Sequence, residues 1–188
     1  MEVRAKGFRV YLSSLGLDDA EEIARMANDK EVARGLSEGF PHPYEKRDAL
    51  SFVESATQQM MNGEGFNFAI RSEGDNVLLG VCGGRLHAKW KKCSIGYWLG
   101  REHWGNGYAK EATRLMLYFC FNELGVNRVY AEVHDYNERS LWLLKKLGFV
   151  EEGRSRESSF FDGKLMDDIM FGMLKREYSD KISAKVIR

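Results

Sequence analysis

The chain has 188 residues and equal numbers of basic and acidic side chains, 28 of each, so its formal net charge is zero. A hydrophobic share of 44% and a charged share of 30% predict one globular domain over residues 1–188, large enough to need no disulfide or structural metal. A balanced charge disfavours a nucleic-acid partner, because such proteins carry a basic excess or a basic stripe.

The first half predicts two helices followed by strands. Residues 8–12 alternate like a strand, and the acidic residues 18–22 favour the start of a helix because they face the positive end of its dipole. A loop with two prolines spans residues 40–44, and residues 48–61 have one apolar helical face. The strands that follow read as an antiparallel meander: they are predicted at 66–71, 77–86 and 93–99.

The second half alternates between helix and strand. The predicted segments are helix 109–124, strand 128–134, helix 141–147, and strands 157–161 and 168–174. Gly125 and Gly148 stand where glycine commonly ends a helix. Together the segments predict an α/β fold with a mixed, mostly antiparallel central sheet and helices on both faces. The core is expected from about residue 8 to 178, followed by a short C-terminal tail.

A glycine-rich turn joins the strand at 93–99 to the long helix. It reads Trp104-Gly-Asn-Gly-Tyr-Ala-Lys110. The first N–H groups of a helix lack internal partners, and glycines let the backbone approach a ligand, so this turn is suited to a phosphate or pyrophosphate. It is neither a dinucleotide fingerprint, because Lys110 occupies the third glycine position, nor a P-loop, because no Gly-Lys-Ser/Thr follows. When the Gly-x-Gly motif is considered alone, the alternative interpretation is a tight structural turn that binds no ligand.

The remaining polar features exclude several classes of protein. The four histidines lack metal-ligand spacing, so no metal is expected. Three cysteines without a CxxC motif suggest reduced thiols and a cytoplasmic location. The N-terminus shows no signal peptide, and the longest apolar run is too short to span a membrane. Asn137 stands at a strand-to-helix junction, where its ordinary role is to cap the helix.

Taken together, the motifs resemble the GNAT acetyltransferase superfamily, and within it the ribosomal-protein N-terminal acetyltransferases. The resemblance runs from about residue 8 to 178. It is carried by the strand 95–99 with the glycine turn, by Asn137-x-x-Ser140 with Lys146-Leu-Gly-Phe149, and by Asp162-Gly-Lys164 with Asp167-Asp168. The superfamily has Gln or Arg where this chain has Trp104, and Trp there is typical of the ribosomal-protein group.

The resemblance implies an acetyl-CoA site and a direct attack on the thioester by a primary amine. Backbone N–H groups of the turn would hold the pyrophosphate, namely those of Gly105, Asn106, Gly107, Tyr108, Ala109 and Lys110. The strand end formed by Trp98, Leu99 and Gly100 would pair with the pantetheine arm, and an N–H near Leu99 would bind the oxyanion. Asn137 would bind pantetheine or a water.

Two carboxylates are candidates for the general base. Glu132 shares a strand face with Tyr130 and His134 and lies five residues before Asn137, where some relatives carry a catalytic Glu; an ion pair with a nearby Arg or Lys is the alternative. Glu157 is the second candidate. The Tyr that some relatives use as acid is replaced here by Leu144, so Ser140 is the remaining candidate acid, with a plain first-turn helix position as its alternative.

The acceptor is expected to be a protein N-terminal amine, as in the ribosomal-protein group. The wall of the acceptor site would lie at about residues 36–47, where Phe40, His42 and Tyr44 are candidates for the lining. A polyamine, amino acid or aminoglycoside acceptor and a non-catalytic acyl-CoA sensor are the alternatives. Relatives in the group are monomers or homodimers, and the resemblance implies neither a membrane nor a nucleic-acid partner.

Overall fold

The computed structural model describes residues 1–36, 41, 43–161, 163–179 and 182–187. Strands and helices alternate much as the sequence predicts. The strands are β1 (Glu2–Ala5), β2 (Val10–Ser14), β3 (Gly65–Ser72), β4 (Leu78–His87), β5 (Lys92–Ser94), β6 (Gly96–Leu99), β7 (Arg128–His134), β8 (Val150–Phe161), β9 (Lys164–Leu174) and β10 (Ala184–Ile187), and the helices are α1 (Ala20–Ala27), α2 (Lys30–Ala33), α3 (Lys46–Met61), α4 (Tyr108–Tyr118) and α5 (Glu138–Lys146).

Within the described residues these strands form one mixed sheet. Its order is β10-β1-β2-β3-β4-β5-β7-β9-β8, with β6 paired to β4. Among the strand pairs of the described residues, β5–β7 alone is parallel. The strand β10 lies in the segment predicted as a tail, and it pairs antiparallel with β1, which the sequence pattern did not indicate. The predicted fold class, a mixed and mostly antiparallel sheet, is confirmed.

Helices cover both faces of the sheet, as predicted. On one face α1 and α3 bury a cluster that includes Ile23, Val53 and Val81. On the other face α4 and α5 cover the larger core, where Leu115 and Leu144 are almost fully buried. Burial of these apolar faces is the main stabilising contribution to the fold. Among the described residues, no helix is both long enough and apolar enough to cross a membrane.

The long helix predicted at 109–124 changes its winding before it ends. Regular α-helix stops at Tyr118, and one π-turn follows over Phe119–Glu123. The N–H of Leu124 donates to the carbonyl of Phe119, five residues back, at 3.0 Å. Gly125 then takes a positive φ of 65°, and the chain turns toward β7 as its glycine predicts.

The strand predicted at 93–99 divides into two at Ile95, and this division creates an opening in the sheet. Ahead of the division β5 pairs with β7, and beyond it β6 pairs with β4. Glycines in β4 permit the close approach that this arrangement needs. A Cβ on Gly84 would lie 1.8 Å from the Ser94 carbonyl oxygen, so only glycine fits there.

Candidate functional site

The candidate site is the opening between β6 and β7. The N–H of Ile95 donates to the Tyr130 carbonyl on β7 at 2.9 Å, whereas the N–H of Gly100 donates to Leu79 on β4 at 2.9 Å. Backbone N–H groups alternate in direction along a strand. The N–H of Leu99 therefore points away from β4 and into the opening. A bound chain with its own hydrogen-bonding groups would extend the sheet at this edge.

The glycine turn presents a row of unused donors at the end of the opening. Within the described chain, the N–H groups of residues 105–109 make no backbone hydrogen bond, whereas the Lys110 N–H donates to the Gly107 carbonyl at 3.1 Å. Gly105 and Gly107 have φ values of 79° and 80°, which bend the backbone into a concave nest at the start of α4. The turn thus leaves five N–H groups available for the predicted anion, whereas the N–H of Lys110, also predicted to bind it, is already bonded.

Arg9 braces this turn from the start of the chain. Its Nη2 donates to the Asn106 carbonyl at 2.8 Å, and its Nε donates to Glu111 Oε1 at 3.0 Å. The backbone N–H of Arg9 also donates to Glu111, at 2.7 Å. The guanidinium lies 5.1 Å from the ring centroid of Tyr108. Sequence reasoning missed Arg9, because nothing in its local pattern shows contact with a turn about a hundred residues away.

Trp104 connects the turn to both walls of the opening. Its indole Nε1 donates to the Leu99 carbonyl at 2.9 Å, and the guanidinium of Arg139 on α5 lies 4.6 Å from its ring centroid. The Asn106 amide donates to the Trp104 carbonyl at 3.2 Å. The Trp that replaces the family's Gln or Arg therefore has a positioning role in this chain.

Asn137 caps α5, which confirms the ordinary interpretation of this residue. Its side-chain oxygen accepts from the Ser140 N–H at 3.2 Å, and its own N–H donates to the His134 carbonyl at 2.9 Å. The side-chain amide nitrogen lies beside Gly35, just after α2. A coenzyme contact of Asn137 stays a proposal, and the nitrogen is the atom left to make it.

A buried phenol lies beside the candidate acid Ser140. The hydroxyl oxygen of Tyr97, on β6, is buried and forms no hydrogen bond of normal geometry with the described residues. Burial raises the pKa of Tyr97 to about 12, and the nearby Ser140 hydroxyl opposes that rise. Unsatisfied buried polar atoms are uncommon in folded proteins and point to a missing partner. Sequence reasoning missed Tyr97, because an aromatic residue in a strand ordinarily belongs to the core.

The two candidate bases lie in different places. Glu132 is exposed on β7, next to the opening, and pairs across the sheet with Met170. The alternative interpretation of Glu132 is an ion pair with an Arg or Lys, and none of the described residues forms one with it. Glu157 is on β8, and β9 separates that strand from β7. It sits in a bulge with a positive φ of 51°, on a strand that does not border the opening.

The predicted acceptor wall is only partly described. Phe40 and His42 lie outside the described residues. Tyr44 is 4% exposed and packs with α1 and α3, and its N–H donates to the Asn28 side chain at 2.8 Å. The sequence predicts Tyr44 as a candidate for the acceptor lining, and the structure places its ring in the core between two helices; a contact of Tyr44 with the acceptor stays a prediction.

Similarity to known proteins agrees with this geometry. Residues 9–150 match the acetyltransferase (GNAT) domain family. A Bacillus licheniformis protein described as the uncharacterized N-acetyltransferase p20 is 32% identical over 173 residues, which cover 91% of this chain and 96% of that one. The ribosomal protein uS5 alanine N-acetyltransferase of Escherichia coli is 24% identical, covering 92% and 97%. The structure of Mycobacterium smegmatis RimJ in complex with CoA-disulfide has a TM-score of 0.84 at 21% identity, covering 96% of this chain and 88% of that one. The chain therefore belongs to the GNAT acetyltransferase family and is an acetyl-CoA-dependent N-acetyltransferase.

Proposed function

We propose that the opening between β6 and β7 holds acetyl-CoA and that an acceptor amine attacks its thioester there. The pyrophosphate lies on the free N–H groups of residues 105–109, and the pantetheine arm pairs with residues 98–100 of the β6 edge. The observation that carries this proposal is the placement of an anion nest at the end of an unpaired strand edge. Both features suit a ligand with an anionic head and an amide-bearing arm.

The reaction needs a donor for the oxyanion of the tetrahedral intermediate. The N–H of Leu99 points into the opening and is proposed for this role. Its position is fixed from two sides, because Gly100 is bonded to β4 and the Leu99 carbonyl accepts from Trp104. A fixed donor of this kind stabilises developing charge without reorganisation, and removal of one such donor costs about 10²–10³-fold in rate.

Proton transfers involve groups on both walls of the opening. Glu132 is exposed on β7 and is proposed as the general base that takes a proton from the incoming ammonium group. Ser140 is proposed as the group beside the departing thiolate. The buried hydroxyl of Tyr97 lies behind Ser140 and supplies a further donor that no described residue satisfies. The coenzyme sulfur would be a partner for the buried Tyr97 hydroxyl.

We infer that the acceptor is the N-terminal amine of a protein, as in the ribosomal-protein group. Support comes from the similarity over nearly the whole chain to the uS5 alanine N-acetyltransferase. The face of β7 that carries Glu132 is also open toward solvent, which suits the end of a peptide. A small amine is the second acceptor class, and it shares the same coenzyme site.

Thiol release from acetyl-CoA over an acceptor panel tests the proposed function. The panel contains peptides with free N-terminal Ala or Ser, the same peptides with blocked termini, and spermidine. We expect turnover with the free peptides and none with the blocked ones. Turnover with spermidine alone would show that the acceptor is a small amine and not a protein N-terminus. Acetyl-CoA binding without turnover for any amine would favour the sensor and contradict the proposed transfer.

The brace formed by Arg9 gives a moderate, site-specific prediction. Arg9→Met removes the side-chain bonds to Asn106 and Glu111, keeps the backbone bond to Glu111, and loosens the turn. Because the Arg9 side chain is 57% exposed, the expected loss is only about 1 kcal/mol, or about fivefold weaker acetyl-CoA binding. Calorimetric titration measures it. Arg47→Met, which removes an exposed arginine at the start of α3, is the control, and equal affinities for the two variants would show that Arg9 does not shape the turn.

A further inference from the structure

A histidine–carboxylate pair lies at the end of β7, on the face that carries Glu132. The Nδ1 atom of His134 is 2.7 Å from Asp168 Oδ1 on β9, and the two side chains are 15% and 14% exposed. The other oxygen of Asp168 accepts from the hydroxyls of Ser158 and Ser159, at 2.7 and 2.6 Å. Asp168 is therefore held by three donors, and His134 is held by Asp168.

A large bulge in β8 brings the two serines to this carboxylate. Ser155 pairs with Asp168 and Ser159 pairs with Met166, so residues 156–158 of β8 stand opposite one residue of β9. The N–H of Glu157, inside the bulge, donates to Asp167 at 2.8 Å. Bulges of this kind re-aim side chains and are common next to active sites. Without the bulge, the serines would be out of reach of Asp168.

One face of the imidazole ring is covered by an aromatic side chain. Tyr136 stacks on His134, with ring centroids 5.4 Å apart and an interplanar angle of 21°. The Tyr136 hydroxyl donates to the Arg34 carbonyl, and the Arg34 guanidinium lies 4.5 Å from the Tyr136 ring centroid. The ring of His134 thus lies between Asp168 of β9 and Tyr136, which itself contacts Arg34 just after α2.

The hydrogen bonds determine which nitrogen of His134 is free. Burial on its own raises the pKa of Asp168, but the hydrogen bonds from Ser159, Ser158 and His134 outweigh it, so the pKa is lowered and the group is a carboxylate. A carboxylate only accepts, so Nδ1 carries the proton and Nε2 of the neutral ring keeps its lone pair. Within the described chain, no group bonds to Nε2.

The free nitrogen lies on the acceptor side of the sheet. Alternation along β7 places Val133 in the core under α4 and α5 and places Glu132 and His134 together on the opposite face. The two residues are two positions apart, about 7 Å along the strand. Charged and titratable groups around the ring come from every neighbouring element: they are Asp168 on β9, Arg154 on β8, Arg34 after α2, Asp135 and Tyr136 after β7, and Glu132 on β7.

We propose that His134 Nε2, oriented by Asp168, accepts the proton of the acceptor ammonium, with Glu132 holding that ammonium by charge. This inference rests on the proposed function and changes its assignment of the base. The ammonium gives one proton to Nε2, and the neutral amine attacks the thioester carbon. The C–S bond then breaks, the second amine proton passes to the thiolate to give the CoA thiol, and the imidazolium returns its proton to solvent. Asp168 acts through His134 and is a positioning residue.

The test measures the pH dependence of acetyl transfer in single variants, with a free-N-terminus peptide as acceptor. His134→Gln should lower kcat/KM about 100-fold at neutral pH and abolish the acidic limb of the profile, which reports protonation of the base. Asp168→Asn would donate to Nδ1 and place the proton on Nε2, so a similar loss is expected. Glu132→Gln should raise KM and keep the limb. His87→Gln, a histidine that contacts Tyr130 at the far end of β7, is the control.

The outcomes separate this inference from the proposed function. Nitrogen-edited NMR of the imidazole rings should show His134 protonated at Nδ1 in the wild type and at Nε2 in Asp168→Asn. A His134→Gln enzyme that keeps both its rate and its acidic limb would overturn the role of His134 while the transferase stands. If Glu132→Gln lost the acidic limb of the pH profile and His134→Gln kept it, the general base would be Glu132. A wild type that transfers acetyl to no amine overturns the proposed function and this inference together.

Discussion

Gly107→Val should weaken acetyl-CoA binding at least about 100-fold. Gly107 begins α4 with a φ of 80°, a conformation that a β-branched residue adopts only at a cost of about 1–3 kcal/mol. A Cβ there would also lie 3.2 Å from the Arg9 guanidinium that braces the turn. The new side chain would displace the N–H groups of the nest, and each hydrogen bond lost to a charged group costs about 1.5–3 kcal/mol. Calorimetric titration with acetyl-CoA measures the loss.

The control for this variant lies at the other end of the same segment. Gly125 has a φ of 65° and no atom within 4 Å of a built Cβ. Gly125→Val therefore carries a similar backbone cost without touching the turn, and we expect it to lower stability and keep acetyl-CoA affinity. If folded Gly107→Val bound acetyl-CoA as well as Gly125→Val does, the turn would not be the pyrophosphate site.

Arg71→Met should lower the free energy of unfolding by about 3–5 kcal/mol, because it leaves a buried carboxylate unpaired. Arg71 Nη2 is 2.6 Å from Asp19 Oδ1, and its Nε donates to the Ser13 hydroxyl at 2.9 Å. Asp19 is 7% exposed and precedes α1. The pair thus holds α1 against the sheet. Met26 of that helix packs on Gly100 at the opening. Denaturant unfolding monitored by fluorescence measures the change.

Two further variants separate charge burial from general damage. Arg4→Met removes an arginine whose side chain is 27% exposed, and its expected cost is below about 1 kcal/mol. The double variant Arg71→Met/Asp19→Leu removes both buried charges and should regain much of the stability lost in the single variant. A single variant as stable as Arg4→Met would show that Asp19 is solvated after the arginine is lost.

Much of the fold follows from local pattern. The strand predicted at 128–134 has these same bounds in the structure, because Val129, Ala131 and Val133 alternate with polar residues over its whole length. The glycine turn and the helix after it were also predicted, since positive φ and a run of apolar positions are both local properties. Local signals of this strength are those that single sequences predict best.

The rest depends on contacts between distant segments. The division at Ile95 lies where pairing with β7 ends while pairing with β4 continues, which no property of residues 93–99 displays. The Arg9 brace joins residues a hundred positions apart, and His134 meets Asp168 only because β7 and β9 pair in one register. The bulge that supplies the serines adds two residues to β8, a shift that side-chain alternation alone does not show.

Calorimetric titration of the wild-type chain with acetyl-CoA tests the central claim most directly. We expect saturable binding of one acetyl-CoA per chain, with a dissociation constant between about 1 μM and about 1 mM, the ordinary range for enzyme substrates. The affinity should fall steeply with Gly107→Val and little with Gly125→Val. Absence of binding by a folded wild type would contradict the assignment of the opening between β6 and β7 as the coenzyme site.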